Sequence, residues 1–196
     1  MAAVDAPGAA PYRAQVAMAT ITPKTPTEIR ASTEPGARMS RVTSVASLDE
    51  LVGAHPDSLR ALFTRGAVAD PAELGDAPRG RLLGLAPLAG VHLATRPLVR
   101  AIAGSPLWTG VGFDHGGNAG FNRVLGSESL RFRTSVQDGE LDGRPSLVLT
   151  YDRSPWPFSL LRDELRTVAP GLAFGAFFAR AGGAHTLLGW FGLTAR

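Results

Sequence analysis

From residue 130 onward, apolar and polar positions alternate. Leu130, Phe132, Thr134 and Val136 interleave with Arg131, Arg133 and Ser135, the period of two expected of a half-buried antiparallel strand, and Asp138-Gly139 follows with hairpin-turn chemistry. Leu147, Leu149 and Tyr151 alternate with Val148 and Thr150 in a second strand. Residues 172–180 and 185–193 are apolar runs joined through Gly182-Gly183, a hairpin that needs positive φ. Between the hairpins lies an ambiguous stretch. Phe158, Leu161, Leu165 and Val168 suit one face of a helix, yet the segment falls inside a meander and is read as a strand, with the helix as the alternative. Pro170-Gly171 then turns the chain.

Upstream the period changes. Ser47 stands where a helix N-cap would, with Glu50 at the capping-box position three residues on. A second helix is expected from Pro56-Asp57, with Leu59, Leu62 and Phe63 on one face and Gly66 as its end. Asp70-Pro71-Ala72-Glu73-Leu74 and the segment from Pro97 to Ile102 each place proline in a first helical turn. The Gly- and Pro-rich residues between them read as an irregular crossing. Residues 1–46 are Ala, Pro, Thr and Ser with isolated hydrophobes and neither period, which predicts a disordered tail. Met39 is then an alternative start. The expected organisation is a tail over 1–46 and one domain over 47–196, made of a helical lead-in (47–104) and a strand meander (107–194).

Composition narrows the function classes. The chain has 196 residues and no cysteine, so thiol catalysis, disulfides and thiolate zinc sites are excluded. The basic residues are 20 and all but Lys24 are arginine, but the formal charge is only +3. From residue 47 on, 15 arginines face 14 acidic residues, which is no electrostatic footprint for nucleic acid. No secretory signal pattern and no apolar run of transmembrane length is present, so the expected location is the cytoplasm.

The pieces Asp70-Pro71, Leu74-Gly75 and Gly80, then Trp108-x-Gly110-x-x-Phe113, then Asp163-x-x-Arg166 and Leu172-x-x-Gly175 occur in this order over most of the domain. In them the chain resembles a family of small bacterial proteins of unknown activity marked by a Gly-x-Trp-x-Gly signature. Pro78 stands about where the signature Trp would be. The Trp-x-Gly entry also resembles nitrobindin-type and lipocalin-type proteins, which hold haem or lipid. The resemblance implies a mainly β fold, an antiparallel calycin-like β-barrel with short N-terminal helices.

The chemistry-bearing residues are few. His55, His92, His115 and His185 lack metal-ligand spacing and read as surface or capping residues, so no metal is expected; His185, near a barrel mouth, is a candidate haem ligand. Residues 114–120 are glycine-rich but lack Gly-Lys-Ser/Thr, so they read as a connection between strands, with a ligand-entry loop as the alternative. Arg162, Asp163, Glu164 and Arg166 alternate as a solvated cross-strand ladder would, or act as acids and bases if the barrel interior is dry. No nucleophile motif is present, and no motif identifies a cofactor. A barrel of eight to ten strands has an interior that just holds one small molecule. The leading expectation is therefore binding of a small hydrophobic molecule, lipid-like or haem-like, lined by Trp108, Phe113, Phe174 and Trp190 with Asn122, Arg123, Tyr151 and Arg162 orienting a polar end. The alternative is a cyclase or isomerase in which Asp163 or His115 moves a proton.

Overall fold

In a computed structural model of the chain, residues 47–86, 100, 101, 103, 105 and 107–196 are described. The expected tail over 1–46, His92 and most of the helix expected after Pro97 lie outside them. The strands are β1 (Ala67–Val68), β2 (Arg79–Leu85), β3 (Trp108–Phe113), β4 (Ala119–Val124), β5 (Ser127–Asp138), β6 (Pro145–Thr150), β7 (Leu161–Ala169), β8 (Leu172–Ala181) and β9 (Ala184–Thr194). From β2 to β9 each strand pairs antiparallel with the next, and β2 pairs with β9 to close the ring. The result is a closed antiparallel barrel of eight strands, consistent with a calycin-like barrel, with the two-residue β1 added against β7.

Each expected hairpin forms, with adjustments. Gly182 and Gly183 both take positive φ, 59° and 88°, so the two residues make the tight turn between β8 and β9 that the strand twist favours. The turn at Asp138-Gly139 is longer than expected. Asp138 pairs with Pro145, leaving a six-residue loop over 139–144. The ambiguous stretch is strand β7, paired on both sides, because the barrel needs two neighbours here and a helix would leave both with open edges.

The lead-in differs more from expectation. Ser47 makes no capping hydrogen bond, and residues Leu48–Leu51 form only a 3-10 turn. Helix α1 (Pro56–Arg65) starts at Pro56 as expected, capped by the His55 side chain, and helix α2 (Pro71–Leu74) is capped by Asp70. Residues 79–85 are not an irregular crossing but β2, the first barrel strand. Its sequence, Arg-Gly-Arg-Leu-Leu-Gly-Leu, hides the period of two because glycines replace side chains and the pairing shifts between Leu82 and Gly84.

Two apolar cores result. One fills the barrel and holds Val111, Phe113, Phe132, Leu147, Leu149, Tyr151, Leu165, Phe191 and Leu193, with Ala69 and Leu74 packed at the end where β1 and α2 sit. The other lies on the outside, where α1 and the 3-10 turn bring Leu48, Leu59 and Phe63 against Leu83, Phe174, Ala176, Phe178 and Trp190. Burying a side chain of this size stabilises by roughly 1.5–3 kcal/mol, so α1 is a brace that the outer face of β8 and β9 requires.

Candidate functional site

Inside the barrel, the aromatic rings lie flat against the wall because glycines on neighbouring strands leave room. A Cβ at Gly80 would overlap the Trp108 ring, one at Gly120 the Phe132 ring, one at Gly175 the Phe191 ring and one at Gly189 the Phe177 ring. With the rings drawn to the wall, the lumen near the start of β3 and β7 stays open. The cavity there measures about 210 Å³ and is lined by Leu82, Ala103, Trp108, Asn122, Val124, Leu130, Tyr151, Leu161, Asp163, Phe177 and Phe191.

Its polar groups form one directed chain. Trp108 Nε1 donates to Asn122 Oδ1 at 2.8 Å, Asn122 Nδ2 donates to Tyr151 Oη at 2.9 Å and more weakly to the Leu130 carbonyl at 3.5 Å, and Tyr151 Oη donates to Asp163 Oδ2 at 2.6 Å. Strand parity sets this arrangement. Leu147, Leu149 and Tyr151 point inward from β6, and Asp163 points inward from β7 between Leu161 and Leu165, opposite Leu149 and Phe177. Among the described residues no second donor reaches the Asp163 carboxyl. Burial in this apolar surrounding pushes it up to about 7, against the opposing effect of the Tyr151 hydrogen bond. Burial, and next the neighbouring Asp163, push the Tyr151 hydroxyl well above its usual value.

The cavity thus brings together Trp108, Asn122, Tyr151 and Asp163 and leaves the other candidates outside. Trp190 and Phe174 face outward and pack on Phe63, at 5.8 Å between the Trp190 and Phe63 rings. In the pair Trp190-Phe191 it is Phe191 that enters the lumen, edge-on to Trp108 at 5.4 Å. Arg162 also faces outward. Its guanidinium bonds Glu164 Oε1 at 2.9 Å, Gln137 Oε1 at 2.9 Å and the Asp138 carbonyl at 2.8 Å, so it cannot partner Tyr151. Phe113 is inside, but in the solid part of the core against Phe132. Arg123 holds the Ala77 and Pro78 carbonyls at 3.1 and 2.6 Å. His115 is exposed on the loop between β3 and β4, at the other end of the barrel from Asp163. In that loop the Gly116 and Gly117 amides both donate to the Asp114 carbonyl, so neither is turned towards an anion. His185 lies 2.9 Å from Glu140 Oε1 on the outside rather than at a haem position.

The alternating charges of β7 are not a solvated ladder. Glu164 and Arg166 are fully buried and Arg162 nearly so, because the 139–144 loop folds back over them. Arg166 grips Asp142 through both Nη atoms at 2.7 and 2.6 Å, bonds Ser146 Oγ at 2.9 Å and stacks over Phe63 at 4.5 Å. The hydrogen bonds from Arg166 hold the Asp142 carboxyl below its usual range.

No helix among the described residues is long and apolar enough to cross a membrane. No family model matches the chain, and no curated protein does. Among solved structures, the chain is similar to a protein from Thermomonospora curvata, with 18% identity over 76% of this chain and 93% of that one and a TM-score of 0.47.

Proposed function

We propose that the barrel binds one small apolar molecule that carries a single polar group. The observation that supports this is the cavity, whose walls are apolar or aromatic except at one corner, where the hydrogen-bond chain ends on Asp163. Few convergent polar groups in an apolar recess are the usual composition of a ligand site. Size narrows the range. An apolar cavity of about 150 Å³ accepts benzene, and drug-sized ligands need upward of about 300 Å³, so about 210 Å³ suits a substituted ring or a short branched chain. A tetrapyrrole would require several times that volume, and the haem-like ligand expected from the sequence does not fit.

The alternative is proton transfer on such a molecule, and it is favoured by one feature, a carboxyl held near neutrality where general bases work best. Against it stands the direction of the hydrogen bonds. Trp108 Nε1 and Tyr151 Oη donate within the chain and Asn122 Nδ2 donates to Tyr151 and to the Leu130 carbonyl, so the wall holds no free donor poised to stabilise the negative charge that develops when a base removes a proton next to a carbonyl. Binding without chemistry is the better reading.

Ligand-detected NMR with toluene tests it. The wild type should bind with a Kd between about 1 µM and 1 mM, the range that seven heavy atoms support. Val124→Trp, which fills the cavity from a strand end, should abolish binding with an unchanged circular dichroism spectrum. A folded wild type with no affinity for toluene or for similar rings would overturn the reading.

A further inference from the structure

Resting on that reading, we propose that the polar group of the ligand is a protonated amine, paired with the Asp163 carboxylate within the aromatic wall formed by Trp108, Phe177 and Phe191. Charge is the first argument. Among the described residues lining the cavity, Asp163 is the single charged side chain, and the adjacent cation, Arg162, is turned outward and engaged with Glu164. A ligand carboxylate would meet an anion with no counter-charge, which a low-dielectric recess penalises heavily.

Hydrogen-bond direction is the second argument. With Asp163 ionised, the side-chain N–H and O–H groups of the cavity wall are already engaged, in the chain from Trp108 to Asp163 and, for the second Asn122 hydrogen, weakly with the Leu130 carbonyl. With Asp163 ionised the wall therefore offers a ligand acceptors and no free donor, whereas the protonated carboxyl has one O–H to give. From the ionised wall a ketone, ether or ester gains nothing, an alcohol can give one hydrogen bond, and an ammonium group brings up to three together with the matching charge. The aromatic wall is the third. Ring faces attract cations, and a carboxylate flanked by rings is a standard solution for holding an alkylammonium group out of water.

The pairing also accounts for the placement of Asp163. Empty, the carboxyl is partly buried in an apolar wall without a cation, and desolvation pushes it up to about 7. An ammonium beside it supplies the missing countercharge and draws it into the ionised form. The groups around it are Tyr151 and Leu149 from β6, Phe177 from β8 and Leu161 and Leu165 from its own strand, with Asn122 from β4 behind Tyr151. Of these only Tyr151 titrates, and its hydroxyl stays protonated over the whole working range.

The test is a titration of the full chain with benzylamine, benzyl alcohol, toluene and phenylacetate at pH 8. Benzylamine should bind at least tenfold more tightly than toluene, benzyl alcohol in between, and phenylacetate not at all. Lowering the pH to 5.5 should weaken benzylamine about thirtyfold, since the ionised fraction of a group at about 7 falls by that factor, and leave toluene unchanged. Asp163→Asn should bring benzylamine down to the level of toluene. If that variant does not fold, the pH series on the wild type decides alone. Toluene binding as tight as benzylamine, or a benzylamine affinity that does not change with pH, would overturn the amine assignment and leave the pocket standing. Failure of all four compounds would remove the pocket reading itself.

Discussion

Replacing Asp163 by asparagine should make the ligand-free protein more stable at alkaline pH, although it removes a hydrogen-bonded side chain from the core. The carboxyl titrates at about 7 in the fold against an ordinary value of 3.8. Below 3.8 it is protonated both in the folded and in the unfolded chain. Between 3.8 and 7 the folded chain keeps a proton that the unfolded chain has lost, so stability falls as pH rises through that window and levels off above it. The interval corresponds to about 4 kcal/mol at pH 8, an upper bound because the unfolded chain and local opening both reduce it. Asparagine cannot ionise, and its Oδ1 still accepts the Tyr151 hydrogen bond. Urea midpoints measured from pH 4 to 8.5 for both proteins isolate this residue in their difference. The variant should be no more stable than the wild type near pH 4 and should lead it by roughly 2–4 kcal/mol at pH 8. A difference that is flat with pH, or one that favours the wild type as pH rises, would show that Asp163 is not held near neutrality and refute the reasoning.

Other substitutions probe the same structure. Tyr151→Phe takes away the hydrogen bond that lowers the Asp163 value, so carbon NMR of the carboxyl should show it titrating above 7, with a loss of about 1–3 kcal/mol in urea unfolding. Arg166→Met leaves Asp142 and Ser146 without their buried partner and should cost about 3–5 kcal/mol. Because Asp142 is depressed by Arg166, the wild type's advantage over this variant should be fullest above the ordinary carboxylate value and shrink as pH falls through and below it, which acid unfolding of the pair measures. Gly175→Ala places a methyl in the Phe191 ring and should lower stability by roughly 1–3 kcal/mol, with Phe191→Leu added in the same chain restoring most of it in thermal melts.

What could be read from the sequence divides along the barrel wall. The parity of Leu147, Leu149 and Tyr151 on β6 is visible in the chain, and it places the tyrosine inward. The same parity on β7 groups Asp163 with Leu161 and Leu165 and turns Arg162 outward, so the partner of Tyr151 follows from spacing once the segment is a strand. Trp190 and Phe191 could not be separated this way. Both are large aromatics, both are buried, and which one enters the lumen depends on the register with β8 and on where α1 lies, neither of which is local. β2 was hidden for a different reason: its inward positions include Gly80, a residue that carries no hydrophobic signal because its place is taken by the Trp108 ring from β3.

The charges on β7 show how one strand serves two environments. A loop that ended tightly at Asp138-Gly139 would have left Glu164 and Arg166 in solvent, as their alternation suggests. The longer loop over 139–144 instead lays its Glu140 amide on Glu164 at 2.9 Å and its Asp142 carboxylate on Arg166, and a side chain at Gly139 would strike both Glu164 and Arg166. The outward carboxylate is thereby matched by the Arg162 guanidinium and a backbone N–H, whereas the inward one, a single residue away on Asp163, has one neutral donor and a cavity. Two acids on adjacent residues, Glu164 fully buried and Asp163 partly buried at the cavity wall, are left with opposite needs. The one on the outside is already neutralised within the fold, and the one on the inside lacks a cation that a ligand is able to bring.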